Sequence, residues 1–362
     1  MRGRTPVTLS LPKHDRQTQC DRPSTGSGRS GLGLPLLLVV LLSLSPVAAE
    51  EGQKSTFARA VEAYNQRDLD KALELARQSA TQRPHHADTH ALLGQLYYLR
   101  QDLARAEEHW ERALALAPGR EDVVKALEQL RKEAGIEKAF ARSDTHPFVV
   151  RFAEQQVPVD SLWLRQTLRD CYRQVGQQFE YFPDHPITVL LYGEQDFEKV
   201  KGLSHQVGGF YDGKIRLPVR AGQTTGGELK RVLWHEFTHA IVHDLSKGSC
   251  PLWLNEGIAS LQEARVQPVD IRLAARAFRE NRLPGWEQFF GQGYRTSSLQ
   301  EDYQVAYLIA QYLVKRWSWR DLVGLLRRLG DGASIEEAIR AEYRSGLKEL
   351  EGDWRRWLKN RV

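Results

Sequence analysis

The spacing of apolar positions predicts a helix that stops at Gly248. Successive side chains of a helix are rotated by about 100° around its axis. With this rotation, a set of apolar side chains forms one stripe along the helix, and two histidines and a glutamate form a polar stripe beside it. Thr225 and Glu228 form a T-x-x-E capping pattern at its start. The apolar set is Leu229, Leu233, Phe237, Ala240 and Ile241. We therefore expect the polar stripe to lie at the edge of a hydrophobic core.

Two apolar runs and a turn signal predict strands before this helix. Residues 148–152 are predicted to form a strand whose side chains point alternately to the two faces of a sheet, and residues 187–192 are largely apolar. A helix over about residues 160–179 is expected between them. Asp212-Gly213 is a two-residue turn signal, so a hairpin is expected there. These strands would form a small mixed sheet.

A second pattern, with a period of 34 residues, runs over residues 57–118. Its equivalent positions carry the same or similar residues: Ala60 and Gly94, Tyr64 and Tyr98, Ala72 and Ala106, and Pro84 and Pro118. The second copy resembles a tetratricopeptide repeat, and the first is a degenerate copy with small residues at several aromatic positions. Residues 121–134 add an amphipathic helix that would cap the exposed face. A hinge over residues 141–147 is expected to follow.

The role of this repeat unit is left open by the sequence. One interpretation is a groove that binds a protein partner or a peptide. The other is a structural spacer or a docking surface for the rest of the chain. Two repeats and a cap are near the lower limit for a stable solenoid, so we expect the unit to pack on the neighbouring domain.

The polar stripe of the first helix contains the segment His235-Glu236-Phe237-Thr238-His239. Residues four apart lie on one face of a helix, so His235 and His239 can bind one metal ion from the same side. Glu236 lies where a carboxylate can activate a water molecule at a zinc site. Catalytic zinc centres use three protein ligands, so a further ligand is required.

Glu256 is the candidate for the third ligand. It stands in a Trp-Leu-Asn-Glu-Gly segment that begins at Trp253, after a loop rich in helix breakers. An HExxH motif followed by an N-E-G helix, with 16 residues between His239 and Glu256, resembles the gluzincins, the thermolysin-like and aminopeptidase-like metalloproteases. The resemblance implies one Zn²⁺ per chain, bound by His235, His239 and Glu256.

The segment from Gly208 to Pro218 extends the resemblance to the bacterial peptidase MA-like domains, which carry a strand before the metal helix. Such a strand at a sheet edge can pair with an extended peptide through main-chain hydrogen bonds. Gly209, Phe210 and Tyr211 are therefore predicted to bind substrate. The chain has no G-x-M-E-N segment, the amine-recognising signature of related aminopeptidases. This favours internal cleavage.

Two residues are candidates for orienting a zinc-bound imidazole. Glu263 lies seven residues after Glu256 on the same helix face and is predicted to accept the free N–H of a liganding histidine. Ser260 occupies the position where thermolysin-like chains carry an Asp, and it is the weaker candidate. His243 continues the histidine stripe one turn on and is interpreted as a wall or polar-core residue.

Tyr303 is the candidate for stabilising the reaction's oxyanion. It matches a tyrosine that the superfamily often places downstream of the third ligand. Its phenol would donate a hydrogen bond to the oxygen that becomes negative in the tetrahedral intermediate. Tyr307 and Tyr312 compete for this role and are equally suited to a hydrophobic core.

The first 49 residues predict the compartment. Residues 32–45 are an apolar run with Arg29 upstream and Val47-Ala48-Ala49 as a cleavage-like end. This pattern predicts a signal peptide with a long n-region and a periplasmic or secreted protein. A membrane anchor through an uncleaved signal segment is the minority alternative, because the run is short for a membrane span.

The net charge of the chain bears on whether it binds nucleic acid, and its cysteine content bears on whether it forms a disulfide. Residues 1–49 hold six basic and two acidic side chains, so the remainder of a chain with net charge +5 is nearly neutral. The composition therefore gives no reason to expect a nucleic-acid partner. Of three cysteines, Cys171 and Cys250 lie beyond the leader. Whether they form a disulfide is left open.

These patterns predict an α+β protein in three parts: a leader (1–49), an all-α tetratricopeptide-like unit (50–142) and a zincin-like metallopeptidase domain (143–362). The last part would combine the small sheet, the active-site helices and a helical C-terminal region. The predicted function is zinc-dependent hydrolysis of peptide or protein substrates, with Glu236 as general base. The alternative is an interaction protein with a vestigial zinc site, and the intact Glu236 favours the enzyme.

Overall fold

The computed structural model describes residues 54–66, 68–153, 161–200, 209–219, 227–290 and 298–362. Within them, a run of helices precedes a small mixed sheet, and further helices follow. The α+β class predicted from the sequence is confirmed. The predicted leader and Thr225 of the capping pattern lie outside the described residues.

The N-terminal helices form two antiparallel hairpins and one additional helix, as the 34-residue period predicts. Consecutive helices pack against each other along this unit. Asp68 and Asp102 occupy equivalent N-caps, and each accepts a hydrogen bond from the backbone three residues on. The helices are α1 (Thr56–Asn65), α2 (Leu69–Gln82), α3 (Ala87–Leu99), α4 (Leu103–Leu116) and α5 (Glu121–Glu137).

The degenerate first repeat has a packing explanation. In the second repeat, Gly94 lies against the ring of Trp110, where a Cβ atom would overlap the indole. The equivalent positions of the first repeat carry Ala60 and Ala76, and both are fully buried. Ala76 is much smaller than Trp110. Position 60 therefore has room for the methyl group of an alanine, whereas position 94 does not. The two substitutions preserve close packing between the helices of each pair.

The sheet has five strands in the order β1-β2-β3-β5-β4. β2 and β3 are parallel, as are β3 and β5, whereas both outer pairs are antiparallel. Most residues of the central strand are buried, which suits a strand covered on both faces. The strands are β1 (Ala141–Thr145), β2 (Phe148–Phe152), β3 (Ile187–Gly193), β4 (Phe210–Tyr211) and β5 (Ile215–Val219).

One sequence prediction about this sheet is wrong. Residues 141–147 were expected to be a hinge, but Ala141–Thr145 is strand β1, paired antiparallel with β2 from Ala141↔Phe152 to Thr145↔Phe148. The segment is polar and short, so it lacks the apolar alternation that identifies a strand. Its backbone is ordered by hydrogen bonds to β2, which a local pattern does not reveal.

Helices cover both faces of the sheet. Helices α6 (Ser161–Phe179) and α8 (Gly227–Ser246) pack on the face that carries Val189 and Leu191. Helix α7 (Glu194–Val200) and part of α5 cover the face that carries Leu190 and Tyr192. The metal helix α8 therefore rests on the sheet, and the repeat unit reaches the opposite face.

The described residues after the sheet are mainly helical, as predicted. Helix α9 packs on α8 and on α12, and later helices complete the core around α12. Cys171 and Cys250 are both free thiols. No described helix combines the length and apolar character that a bilayer crossing requires. The helices are α9 (Leu252–Glu263), α10 (Arg272–Arg279), α11 (Trp286–Phe290), α12 (Leu299–Arg316), α13 (Trp319–Gly330), α14 (Ile335–Tyr343) and α15 (Leu347–Lys359).

Candidate metal centre

Helix α8 presents the two histidines at the margin of the core. The whole predicted apolar stripe, from Leu229 to Ile241, is buried. His239 is 8% exposed and Glu236 is 3% exposed. The helix ends as predicted, because Gly248 adopts a left-handed conformation (φ 78°) and its N–H donates to the carbonyl of His243 at 3.0 Å.

Helix α9 turns back on α8 and brings Glu256 to the histidine pair. Oε2 of Glu256 lies 3.3 Å from Nε2 of His235 and 3.7 Å from Nε2 of His239. The two imidazole rings are nearly perpendicular, at 82°, with centroids 4.7 Å apart. Within the described part of the chain, this is the group of three potential ligands whose donor atoms all lie within 4.8 Å of one another.

The other nitrogen of each imidazole is held by a side chain of α9. Nδ1–H of His235 donates to Oε2 of Glu263 at 2.9 Å, and Nδ1–H of His239 donates to Oδ1 of Asn255 at 2.8 Å. Each contact fixes the tautomer with the lone pair on Nε2. In the neutral rings, both Nε2 lone pairs therefore lie on the side of Glu256.

The donor set fits a zinc ion. Four ligands at zinc–nitrogen and zinc–oxygen distances of about 2.0–2.2 Å lie roughly 3.3–3.6 Å apart when the geometry is tetrahedral. The Nε2–Oε2 separations of 3.3 and 3.7 Å match that spacing closely. Two imidazoles and one carboxylate are also the protein ligands of one class of catalytic zinc site.

Electrostatics around the donors favour a cation. Burial opposes the charge on His235, but its hydrogen bonds to Glu256 and Glu263 raise its pKa to about 10. Burial also opposes the charge on Glu256, yet the two histidines hold its pKa below the ordinary value. Burial keeps the pKa of His239 low, so this imidazole stays neutral. The carboxylate oxygens of Glu256 and Glu263 stabilise a proton on His235, and negative charge at the same place also stabilises a bound metal cation.

Glu236 is a buried carboxylate that interacts electrostatically with His235 and Glu256. Burial raises its pKa to about 8, with help from the charges of Glu256 and Glu263 and against the charge of His235. Its Oε2 is buried and makes no hydrogen bond within the described residues. A carboxylate with a raised pKa and an unpartnered oxygen is suited to proton transfer near neutral pH.

The sequence identified Glu263 but missed two other contributors. Asn255, quoted only as part of the N-E-G motif, accepts the N–H of His239. Arg231, one turn before His235 on α8, forms an ion pair with Oε1 of Glu263. This pair and the bond to His235 outweigh burial and lower the pKa of Glu263. The four-residue spacing of Arg231 and His235 was the available signal.

The weaker candidate for orienting a histidine has a different environment. Ser260 is 6% exposed on α9, one turn after Glu256. The histidine N–H groups are held instead by Asn255 and Glu263. Ser260 therefore lies in the helix packing next to the centre.

Tyr303 and its competitors lie on α12, which packs along α9. The carbonyl of Ala306 lies directly against Gly257, the residue after Glu256. Tyr303 is one turn before Ala306 and is partly exposed, so it lies on the same face of α12 as Ala306. Tyr307 is buried, and its hydroxyl accepts a hydrogen bond from Gln311 at 2.7 Å.

Tyr312, the other competitor, is a core residue. It is 2% exposed and packs against the rings of Trp317 and Trp357. These contacts, together with those of Tyr307, leave Tyr303 as the best of the three tyrosines for a role at the centre. Its role in catalysis stays a prediction.

The predicted substrate strand β4 is at the sheet edge. Within the described residues it pairs only with β5. Tyr211 contacts His243 of α8 edge to face, with ring centroids 6.0 Å apart. Gly209 lies so close to Leu217 and Val232 that a Cβ atom would be 2.7–2.8 Å from their methyl groups. The ring of Phe210 packs on the other face of the sheet, near Phe197, so its substrate-binding role, which stays a prediction, would fall to its main chain.

Comparison with known proteins agrees with this arrangement. Residues 218–360 match the family model described as Peptidase MA superfamily, and residues 87–120 match the model described as Tetratricopeptide repeat. These matches confirm the peptidase MA-like and tetratricopeptide resemblances that the sequence predicted.

One curated relative shares a shorter stretch. Over 118 residues, the chain is 31% identical to the "DnaJ protein P58IPK homolog B" of Oryza sativa subsp. japonica. The match covers 31% of this chain and 25% of that protein. The chain therefore spans about a quarter of the length of this relative.

Proposed function

We propose that this protein is a zinc metalloendopeptidase of the gluzincin type. The observation that carries the proposal is the convergence of both Nε2 atoms, of His235 and His239, on Oε2 of Glu256. The buried carboxylate of Glu236 beside them supports a catalytic role over a structural one. The Peptidase MA superfamily match over residues 218–360 supports the peptidase class.

His235, His239 and Glu256 would hold the ion. When bound, zinc supplies a Lewis acid that lowers the pKa of water and polarises a carbonyl oxygen. Asn255 and Glu263 keep both imidazoles in the tautomer that exposes Nε2. The residues that hold the ion and orient its ligands would not transfer protons themselves, so the acid–base chemistry would fall to other side chains.

Glu236 would act as the general base and then as the general acid. Its carboxylate accepts a proton from the attacking water and later donates it to the leaving amine. Tyr303 would donate a hydrogen bond to the oxyanion of the tetrahedral intermediate. The edge of β4 would align an extended substrate by main-chain hydrogen bonds, which places an internal peptide bond near Glu236.

A digest with matched variants tests the proposal. The purified chain should carry about one zinc ion and should cleave casein or a peptide library, and a chelator should abolish cleavage. Glu236→Gln should retain zinc and lose about 10²-fold or more in hydrolysis, because the amide cannot accept the proton. Glu228→Gln, a charge change at the exposed start of the same helix, is the control. Equal turnover by wild type and Glu236→Gln would reject the mechanism.

A second candidate function is a scaffold whose repeats bind a protein partner and whose zinc site is vestigial. The tetratricopeptide match over residues 87–120 favours it. It predicts zinc binding by wild type and by Glu236→Gln with no hydrolysis of any substrate in the digest. Cleavage that depends on Glu236 would reject it.

The compartment follows from the leader. The apolar run and the cleavage-like end within residues 32–49 support export to the periplasm or the medium. Cell fractionation followed by N-terminal sequencing tests this: a mature chain that begins at Glu50 is the expected result. A full-length chain in the membrane fraction would support the uncleaved anchor instead.

A further inference from the structure

Arg216 of β5 is a fully buried cation with a complete set of acceptors. A guanidinium has five N–H donors, and five oxygen acceptors surround this one. Its ion pair with Glu133 is 2.8 Å long, and its ion pair with Glu137 is 2.9 Å long. The acceptors are Glu133 Oε2, Glu137 Oε1, Asp212 Oδ2, Tyr98 OH and Tyr192 OH.

Most of these acceptors come from the repeat unit. Glu133 and Glu137 belong to α5 and Tyr98 to α3, whereas Arg216 belongs to the β4–β5 hairpin. Tyr98 also donates its hydroxyl hydrogen to Glu133, so the network is continuous. The hairpin is therefore bound to the repeat unit through a fully buried side chain.

Two more contacts hold the same hairpin. Lys214 is fully buried, and its Nζ lies 3.4 Å from the centre of the Tyr98 ring. Gly213, in the turn, has a positive φ of 96° and lies against Leu99 at the end of α3. Few residues other than glycine adopt this conformation, and a Cβ here would also strike Leu99.

The other side of the hairpin faces the metal helix. Tyr211 packs against His243, one turn beyond His239. Gly209 lies against Val232 of α8. The hairpin is thus packed between the repeat unit and α8, and its edge strand is the proposed substrate contact.

The buried charge of Arg216 makes the position of the hairpin depend on the repeat unit. Removing one partner from a buried ion pair leaves an uncompensated charge and is strongly unfavourable. Without Glu133 and Glu137, Arg216 would retain Asp212 as its one anionic partner among the residues that the structure describes. The position of the hairpin therefore depends on the docked helix α5.

We infer that the repeat unit positions the substrate-binding edge of the peptidase site, with Glu133, Glu137 and Arg216 as positioning residues. This inference rests on the proposed peptidase function. The repeat unit then supports the hairpin from the side away from α8, and it is not a detachable recruitment arm. Of the two roles left open by the sequence, the contacts favour the docking surface.

The test uses Glu133→Gln in the full chain, with Tyr98→Phe as a milder variant that retains the ring. Amide hydrogen exchange over residues 209–219 should accelerate at least about tenfold, because a buried charge loses its partner. Exchange in α8 and α9 and the zinc content should be unchanged. Glu107→Gln, which breaks an exposed ion pair with Arg131 in the same unit, is the matched control.

Kinetics separate positioning from general structural damage. KM for an extended peptide should rise about tenfold, the effect of weakening roughly one hydrogen bond, and kcat should change little. Loss of zinc together with kcat would overturn the inference, because the damage would then not be confined to the hairpin.

The exchange measurement distinguishes this inference from the proposed function. Unchanged hairpin exchange in both variants overturns the inference, even if the protein cleaves peptides. Accelerated exchange in a protein whose wild type cleaves nothing supports the coupling of the hairpin to the repeat unit and overturns the peptidase function instead.

Discussion

Oδ1 of Asn255 lies 2.8 Å from Nδ1 of His239, so the residue just before one proposed ligand orients another. Glu263, two turns further along α9, holds His235 in the same way. Helix α9 therefore carries the proposed third ligand and the hydrogen-bond acceptors for the other two. The contact between α8 and α9 sets the whole donor geometry.

Asn255→Ala should weaken zinc binding about 10–100-fold without abolishing it, because His239 loses the acceptor that fixes its tautomer. A competition titration against a chromophoric chelator measures the affinity. Ser260→Ala is the control on the same helix and should leave the affinity within a few-fold of wild type. Equal affinity of wild type and Asn255→Ala would remove Asn255 from the centre.

Tyr303→Phe should lower kcat by about 10²–10³-fold with little change in zinc affinity, because one donor to the oxyanion is lost. Steady-state kinetics on a cleaved peptide provide the measurement. Tyr307→Phe and Tyr312→Phe remove hydroxyl groups from core tyrosines of the same helix and should retain kcat. If one of these controls shows the large loss instead, the oxyanion donor is that tyrosine.

Gly257→Ala should lower the melting temperature by about 3–10 °C, because its methyl group would overlap the carbonyl of Ala306 and force α9 from α12. Calorimetry measures the shift. Gly135→Ala is the matched control, since nothing lies within 4 Å of its Cβ position in α5. That change should stabilise the helix by about 0.5–1 kcal/mol. An unchanged melting temperature for Gly257→Ala would mean that α9 and α12 do not pack this closely.

Lys214 should make stability depend on pH. Burial, together with the charge of Arg216, lowers its pKa to about 8 from the ordinary 10.5, although Glu133 and the other nearby acids oppose the shift. Between these values the unfolded chain binds a proton that the folded chain does not. The free energy of unfolding therefore rises with pH through this window, and the same gain is lost again as pH falls from about 10.5 to about 8.

Comparison with Lys214→Met isolates that effect. From about pH 7 to about pH 10, wild type should gain about 2–3 kcal/mol of stability relative to the variant. Urea unfolding at several pH values gives the difference, and the titration of other groups cancels in it. Lys348→Met, at a side chain that is 85% exposed, should show no such trend. A difference that is constant with pH would contradict the low pKa.

The sequence by itself determined the elements that depend on local periodicity. The apolar stripe from Leu229 to Ile241 required a helix with one buried face, and four-residue spacing then required His235 and His239 to share the adjacent face. The 34-residue period likewise required paired helices between α1 and α4. In each case the information lies within one or two helical turns or within a single repeat.

Only the tertiary structure decided the contacts between distant segments. Ala141–Thr145 is a strand because β2 pairs with it, and Asn255 meets His239 because α9 crosses α8 in one particular register. Arg216 bonds to Tyr98, which lies 118 positions earlier in the chain. Hydrogen bonds and buried ion pairs require alignment within a few tenths of an ångström. Such alignment follows from how helices and strands pack, which local patterns do not encode.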